Sequence, residues 1–131
     1  MGKRKERIIM KVLVVEDEPA SLKLAGLVLK DDGHQVTEAE AVGRAVEEIL
    51  KSEPEVILLD LALPGIDGLT LARALKSDPA KRHIVIVAVT AFPERYPREA
   101  ALAAGCDAFI VKPINTRKLA EQVTSVVEKM K

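Results

Sequence analysis

Short aliphatic runs recur along the chain, and four of them end directly at polar side chains. Continuous aliphatic runs of this length are typical of strands buried on both faces of a parallel sheet. The carboxyl ends of parallel strands meet at one edge of an open sheet, where ligands bind. The polar groups are therefore predicted to lie together. The runs and the residues after them are Val12–Val15 before Glu16 and Asp17, Val56–Leu59 before Asp60, Ile84–Val89 before Thr90, and Phe109–Val111 before Lys112.

Strand patterns alternate with amphipathic helical patterns from one end of the chain to the other. Crossovers between parallel strands are right-handed almost without exception, which leaves few ways to connect such an alternation. The sequence predicts an α/β fold of the (βα)5 type, a doubly wound five-stranded parallel sheet with flavodoxin-like strand order 2-1-3-4-5. The predicted strands are 9–16, 35–39, 55–60, 83–89 and 107–111, and the helices are Pro19 to about Lys30, Val42 to Leu50, 68–76, Pro97 to Gly105, and Asn115 or Thr116 to about Met130.

The helix ends carry local signals. Pro19 suits the first turn of a helix, where its missing N–H costs nothing, and Gly33 suits a helix stop. Asp67 follows a turn-rich loop and is predicted to cap the third helix.

The length of 131 residues fits one domain. We assign 1–9 to a basic N-terminal tail and the start of the first strand, and 10–130 to the domain itself. The chain has 20 Lys and Arg residues and 20 Asp and Glu residues, so its net charge is zero. It therefore has no overall electrostatic attraction for DNA or an anionic membrane. Three aromatic residues are too few for base-stacking platforms.

No apolar stretch approaches the length of a membrane span, and the basic N-terminus lacks the apolar core of a signal peptide. Cys106 is the sole cysteine, which excludes an intramolecular disulfide and a zinc set. These features predict a soluble cytoplasmic protein.

The polar residues at the strand ends form a chemically coherent set. Three carboxylates suit a hard cation such as Mg²⁺, whereas a hydroxyl and an ammonium suit a phosphoryl group. Asp60 is the candidate nucleophile, because an aspartate carboxylate can attack phosphorus and form an acyl phosphate. Each residue also has an ordinary explanation: Asp60 as a loop residue or cap, Glu16 and Asp17 as acidic groups at a helix N-terminus, and Lys112 as a solvated lysine.

Four motifs resemble the receiver domains of two-component response regulators, over roughly residues 10–130. The closest likeness is to stand-alone receivers of phosphorelays and cell-cycle control. The motifs are Val-Val-Glu-Asp-Glu-Pro, Leu-Leu-Asp-Leu-Ala-Leu-Pro-Gly-Ile-Asp-Gly, Ala-Val-Thr-Ala and Phe-Ile-Val-Lys-Pro.

The resemblance implies a role for each site residue. Asp60 would be the phosphoacceptor, and Asp17 and Asp60 would bind Mg²⁺, with Glu16 acting mainly through water. Mn²⁺ can substitute in such sites. The backbone carbonyl of Ala62 would be a further metal ligand. Thr90 and Lys112 would hold the phosphoryl group. Phe109 would be the aromatic residue that changes position when Asp60 is phosphorylated. Glu16 stands where Asp is commoner, which lengthens one arm of the metal site.

The resemblance also implies partners and a signalling surface. The phosphodonor would be a histidine kinase or a histidine phosphotransferase, docking beside Asp60 on an apolar patch of Ala20, Leu24 and Ile114. The downstream protein target is unknown, and we expect a monomer or weak dimer. The output surface would be the face of the fourth helix, fifth strand and fifth helix. We also expect a cis Lys112–Pro113 bond, which would aim Lys112 back into the site.

Three other interpretations remain open from the sequence. An aspartate-nucleophile phosphatase usually has a general acid two residues after the nucleophile, and Ala62 cannot serve as one. A phosphorylation-independent interaction module is disfavoured by the complete set of site residues. The chain could also be the receiver fragment of a larger regulator or hybrid kinase.

Overall fold

The computed structural model describes residues 8–130, so most of the basic N-terminal tail lies outside the described part of the chain. Five strands alternate with five helices over these residues, as the sequence predicts. The elements are β1 Lys11–Val15, α1 Pro19–Asp31, β2 Gln35–Ala39, α2 Val42–Ser52, β3 Val56–Asp60, α3 Gly68–Ser77, β4 Val85–Thr90, α4 Arg98–Ala103, β5 Ala108–Val111 and α5 Leu119–Lys129.

The strands form one parallel sheet in the order β2-β1-β3-β4-β5, which confirms the predicted doubly wound topology. β3 and β4 lie inside the sheet and are buried along their whole length. This explains why their sequences are continuously aliphatic rather than alternating.

Two hydrophobic clusters cover the two faces of the sheet. One contains buried side chains of α2, α3 and α4, and the other contains buried side chains of α1 and α5. Alternate strand residues supply each cluster: Leu13 and Val15 of β1 join the first, whereas Val12 and Val14 join the second. The sheet is thus sandwiched between two helical layers that exclude water from it.

The helix-end signals act as predicted. Pro19 occupies the first turn of α1, and the carboxylate of Asp67 accepts a hydrogen bond from the Thr70 N–H at the start of α3. After α1 the N–H groups of Gly33 and His34 bond to the carbonyls of Lys30 and Leu29, which is a Schellman stop. Gly33 has φ of 94°, a backbone conformation that favours glycine.

Several predicted boundaries differ from those in the structure. α5 begins at Leu119 rather than at Asn115 or Thr116, because the Asn115 side chain accepts the Arg117 N–H and holds a preceding turn. His83 does not start the fourth strand; it lies in the turn before Val85 and is exposed. β1 is also shorter than predicted, starting at Lys11 and ending at Val15.

The strand register brings the carboxyl ends of four strands to one edge of the sheet. Val15 pairs with Leu59, Asp60 with Val89, and Thr90 with Val111, so β1, β3, β4 and β5 end at the same level. The loop after β3 turns back tightly, since a Cβ on Gly68 would lie 2.7 Å from the Asp60 carbonyl oxygen. The Lys112–Pro113 peptide bond is cis, as predicted.

Among the helices of residues 8–130, none has the length and hydropathy needed to cross a bilayer.

Candidate functional site

Three carboxylates meet at the carboxyl edge of the sheet. Glu16 and Asp17 follow β1, where the chain has left the strand, and Asp60 ends β3. One carboxylate oxygen from each residue lies within 4.8 Å of the others. Glu16 and Asp60 are buried, whereas Asp17 is exposed. The group could hold a divalent cation with one open side, because oxygen ligands around a small hard cation lie at such separations.

The ammonium of Lys112 bridges two of these carboxylates. Its Nζ lies 2.9 Å from Asp60 Oδ2 and also donates to Glu16 Oε1. The Lys112 N–H bonds to the Thr90 carbonyl at 2.8 Å, which extends the β4–β5 ladder past the end of β5 and fixes the lysine backbone. Lys112 therefore crosses the carboxyl ends of β4 and β3 to reach the residue after β1.

Backbone N–H groups orient the remaining carboxylate oxygens. The Glu18 N–H donates to Glu16 Oε2 at 3.1 Å, and the Ala62 N–H donates to Asp60 Oδ1 at 2.9 Å. Both oxygens of Asp60 are thus engaged, one by Ala62 and one by Lys112. A carboxylate held from two sides presents its remaining lone pairs in a defined direction.

Burial and the neighbouring charged groups both change the acid–base behaviour of the site. Burial raises the pKa of Glu16 from 4.5 to about 7, helped by its hydrogen bond with Asp60, while Lys112 and the Glu18 N–H oppose the rise. Burial would lower the pKa of Lys112, but its bonds to Glu16 and Asp60 outweigh burial and the net pKa is raised. Lys112 therefore stays charged, and Glu16 holds a proton more tightly than a free glutamate does.

Thr90 ends β4, the strand next to β3, and Phe109 lies on β5, the strand after it in the sheet. The Thr90 side chain is fully buried, and its Oγ1 accepts the Phe92 N–H at 2.9 Å. Phe109 is half-buried and packs against the cluster on the α3 and α4 side of the sheet. The pairings Ala88 with Phe109 and Thr90 with Val111 place Thr90 and Phe109 on the same face, two positions apart.

The other predicted site residues lie around this centre. Ala62 follows Asp60 in the loop after β3 and is half-buried. Ala20 and Leu24 are exposed on α1, and Leu24 retains 45% of its accessible surface. Ile114 is half-buried against the cluster under α1 and α5. Leu22 of α1, in contrast, is buried and belongs to the core.

A cavity that the sequence did not predict adjoins the carboxylates. Its volume is about 400 Å³, and its lining includes Asp17, Ala62, Asp67, Arg95 and Tyr96. The loop after β3 and the connection before α4 form its walls. No periodic pattern marks Arg95 or Tyr96 in the sequence, since they lie in a short Pro-flanked connection, and only the packing of the two loops brings them here.

The family model and the similar proteins point to one family. The family model described as the response regulator receiver domain matches residues 12–124. The response regulator PleD of Caulobacter vibrioides is 36% identical over 116 residues, 88% of this chain and 26% of that protein. The polar-differentiation response regulator DivK of Brucella ovis is 32% identical over 114 residues, 87% of this chain and 93% of that protein.

The solved structures agree with the sequence comparison. A CheY-like response regulator receiver domain protein from Methanospirillum hungatei is 25% identical, with a TM-score of 0.85. The similarity covers 94% of this chain and 97% of that one. This chain thus matches some relatives over nearly their whole length, but it spans only about a quarter of PleD.

The raised pKa of Glu16 predicts an unusual pH dependence of stability in the metal-free protein. Between about pH 4.5 and 7 the folded protein binds more protons at Glu16 than the unfolded chain does. The contribution of Glu16 to the free energy of unfolding is therefore full below pH 4.5 and lost as the pH rises through 7. We expect this loss to be roughly 1–3 kcal/mol.

Urea denaturation in the presence of a chelator at pH 5 and pH 8 measures this loss. The Glu16→Gln variant is isosteric and does not titrate, so the difference in stability between it and the parent isolates the Glu16 contribution. If the parent and the variant change equally between the two pH values, Glu16 does not have the raised pKa.

Proposed function

The chain belongs to the response regulator receiver domain family, and we propose that it is a phosphorylation-dependent switch with Asp60 as its phosphoacceptor. Members of this family are phosphoacceptor switches rather than conventional enzymes. The observation that carries the assignment is the meeting of Glu16, Asp17 and Asp60 beneath the Lys112 ammonium at one sheet edge.

Asp60 has the position and support that a phosphoacceptor needs. It ends a fully buried strand in the middle of the sheet, so its backbone is held by neighbouring strands on both sides. Its carboxylate attacks phosphorus and forms an acyl phosphate. The Ala62 N–H and the Lys112 ammonium hold the carboxylate in one orientation, and holding the reactants in place is a large part of phosphoryl-transfer catalysis.

The carboxylate group fits Mg²⁺, and Mn²⁺ can substitute. Asp17, Asp60 and the carbonyl of Ala62 would hold the ion directly, Glu16 would act mainly through a bound water, and further water would complete the coordination. When bound, Mg²⁺ neutralises charge on the transferring phosphoryl group. Ionisation of Glu16 would accompany metal binding, because a nearby divalent cation favours the charged form of a carboxylate.

Lys112 and Thr90 would hold the phosphoryl group after transfer. Lys112 already reaches Asp60, so its charge is in place to stabilise added phosphoryl oxygens. Thr90 Oγ1 now accepts the Phe92 N–H, and the phosphoryl group would draw the hydroxyl toward itself as a donor. Its displacement would open space on the face that Phe109 shares, and Phe109 would pack inward. Phosphorylation needs only to favour that arrangement over the present one.

The signal would leave through the face of α4, β5 and α5. A histidine kinase or histidine phosphotransferase in the cytoplasm would supply the phosphoryl group, and a protein target would read the rearranged face. Phe109 carries no hydroxyl, so its influence on that face comes from packing alone.

Incubation with acetyl phosphate and Mg²⁺ tests the proposed function. A lasting adduct supports the switch. Continuous release of phosphate would instead mean a phosphatase, and no reaction would mean an inert interaction module. Because the chain contains no tryptophan to report the reaction, intact-mass spectrometry is the suitable measurement.

Asp60→Asn should abolish labelling by acetyl phosphate, because the amide cannot act as the nucleophile. The nearly isosteric change should leave the fold intact, as thermal denaturation monitored by circular dichroism would show. Asp78→Asn is the matched control just after α3, outside the cavity that adjoins the carboxylates, and should be labelled normally, since asparagine forms the same kind of local turn. Labelling of the Asp60→Asn variant would show that another residue accepts the phosphoryl group.

Charged substitutions at the docking patch should separate protein donors from small donors. We expect Ala20→Glu or Leu24→Glu to slow transfer from a histidine phosphotransferase at least tenfold by placing an uncompensated charge in an apolar contact. Transfer from acetyl phosphate should be unchanged. Leu50→Glu provides the control, because Leu50 is 66% exposed on α2 in the other helical layer. Equal slowing with both donors would indicate a structural effect and remove the docking assignment.

Phosphorylated Asp60 should hydrolyse slowly for this family. A hydrolytic water must lie in line with the phosphorus, and the flanking side chains of Ala62 and Phe92 cannot hydrogen-bond to it. The double variant Ala62→Asn, Phe92→Glu should speed loss of phosphate by about tenfold, which corresponds to about 1.4 kcal/mol of barrier. Intact-mass measurement of the decay checks this.

The matched control is the apolar double variant Ala62→Val, Phe92→Leu, which changes the shape of the site without adding a hydrogen-bonding group. It should decay like the parent. If the polar variant also decays at the parent rate, water positioning at these two residues does not determine the lifetime.

A further inference from the structure

The cavity beside the carboxylates is widely open to solvent and has room for a small ligand. Its volume of about 400 Å³ lies within the range of small-molecule pockets. It reaches both Asp17, one of the three clustered carboxylates, and Ala62, whose N–H holds Asp60. We propose that it receives the leaving group of a small acyl phosphate donor and that Arg95 binds the carboxylate that is released. This inference rests on the proposed role of Asp60.

Arg95 is the one cation among the described residues that line the cavity. Within residues 8–130 its guanidinium has no ion pair or hydrogen bond, so it is available to a ligand. The Asp67 carboxylate on another wall is already engaged by the Thr70 N–H and hydroxyl at the start of α3. Arg95 is therefore the cationic partner that an anion would find in the cavity, once a metal ion has offset the charge of the Asp17 carboxylate, which also lines it.

The backbone around Arg95 is held in place. The N–H groups of Arg95 and Tyr96 both donate to the Phe92 carbonyl, at 3.0 and 2.9 Å. The Tyr96 side chain packs against the hydrophobic cluster under α3 and α4. The connection that carries Arg95 is thus anchored on one side by the core, and its guanidinium extends from a fixed base.

The chemistry explains why a cation here would matter. An Asp60 oxygen forms a bond to phosphorus while the bond between phosphorus and the acyl oxygen breaks. The electron pair of that bond stays on the acyl oxygen, which leaves as a carboxylate, and no proton is needed. Negative charge grows on the leaving oxygen during transfer, so a guanidinium beside it stabilises the transition state more than the bound donor.

Two small donors with different leaving groups test this role. Acetyl phosphate releases anionic acetate, whereas phosphoramidate releases neutral ammonia. We expect Arg95→Gln to lower the second-order rate constant for labelling by acetyl phosphate about fivefold, the range of an exposed ion pair. Labelling by phosphoramidate should not change. Arg95→Lys should recover part of the loss, because lysine retains the charge without the planar guanidinium.

The control variant is Arg98→Gln, three residues further on at the start of α4. Arg98 is exposed and lines a different cavity, beside β5 and α5, so its removal should affect neither donor. The acetyl phosphate rate of the parent should also fall with added salt more steeply than that of Arg95→Gln, because screening weakens the lost interaction.

The other outcomes overturn the inference. Equal slowing with both donors would mean that Arg95 acts on the fold or on the phosphoryl group itself. Unchanged rates with both donors would mean that the leaving group does not contact Arg95. An effect confined to transfer from a phosphohistidine protein would assign the cavity to a protein partner. In each case labelling of Asp60 in the parent protein would still stand, so the proposed function is tested separately.

Discussion

The bridge from Lys112 to Asp60 and Glu16 is the interaction on which the site depends. Burial makes these carboxylates resist ionisation and is the main cause of the raised pKa of Glu16, and repulsion between the neighbouring carboxylates adds to it. The ammonium offsets that repulsion by contacting both Glu16 and Asp60. Breaking a buried ion pair by removing one partner is costly because a buried charge is left alone. The bridge therefore fixes the ends of three strands relative to one another.

This arrangement is possible because the sheet is parallel and its strands end at one level. The register brings Asp60 beside Val89 and Thr90 beside Val111. Residues far apart in the chain thereby meet without any long side chain other than Lys112 having to extend. The strong burial of β3 and β4 makes this edge rigid, whereas Asp17 and the loops remain open to solvent and to a donor.

The sequence predicted the sheet and the clustered carboxylates because both depend on local patterns. An aliphatic run that ends at a polar residue specifies a buried strand and the position of its last side chain. The start of α5 was predicted too early, since it depends on the Asn115 turn and on the docking of Leu119, which is fully buried. The cavity at Arg95 depends on how two loops pack against each other, and no local sequence pattern specifies that packing.

A crystal structure with Mg²⁺ and beryllofluoride, a mimic of the phosphoryl group, tests the central claim most directly. The account predicts the metal ion among Glu16, Asp17, Asp60 and the Ala62 carbonyl, and beryllofluoride on Asp60 within reach of Lys112. Thr90 should have turned from the Phe92 N–H toward the beryllofluoride. Beryllofluoride on another residue, or a metal ion outside the three carboxylates, would contradict the assignment of this edge as the phosphoacceptor site.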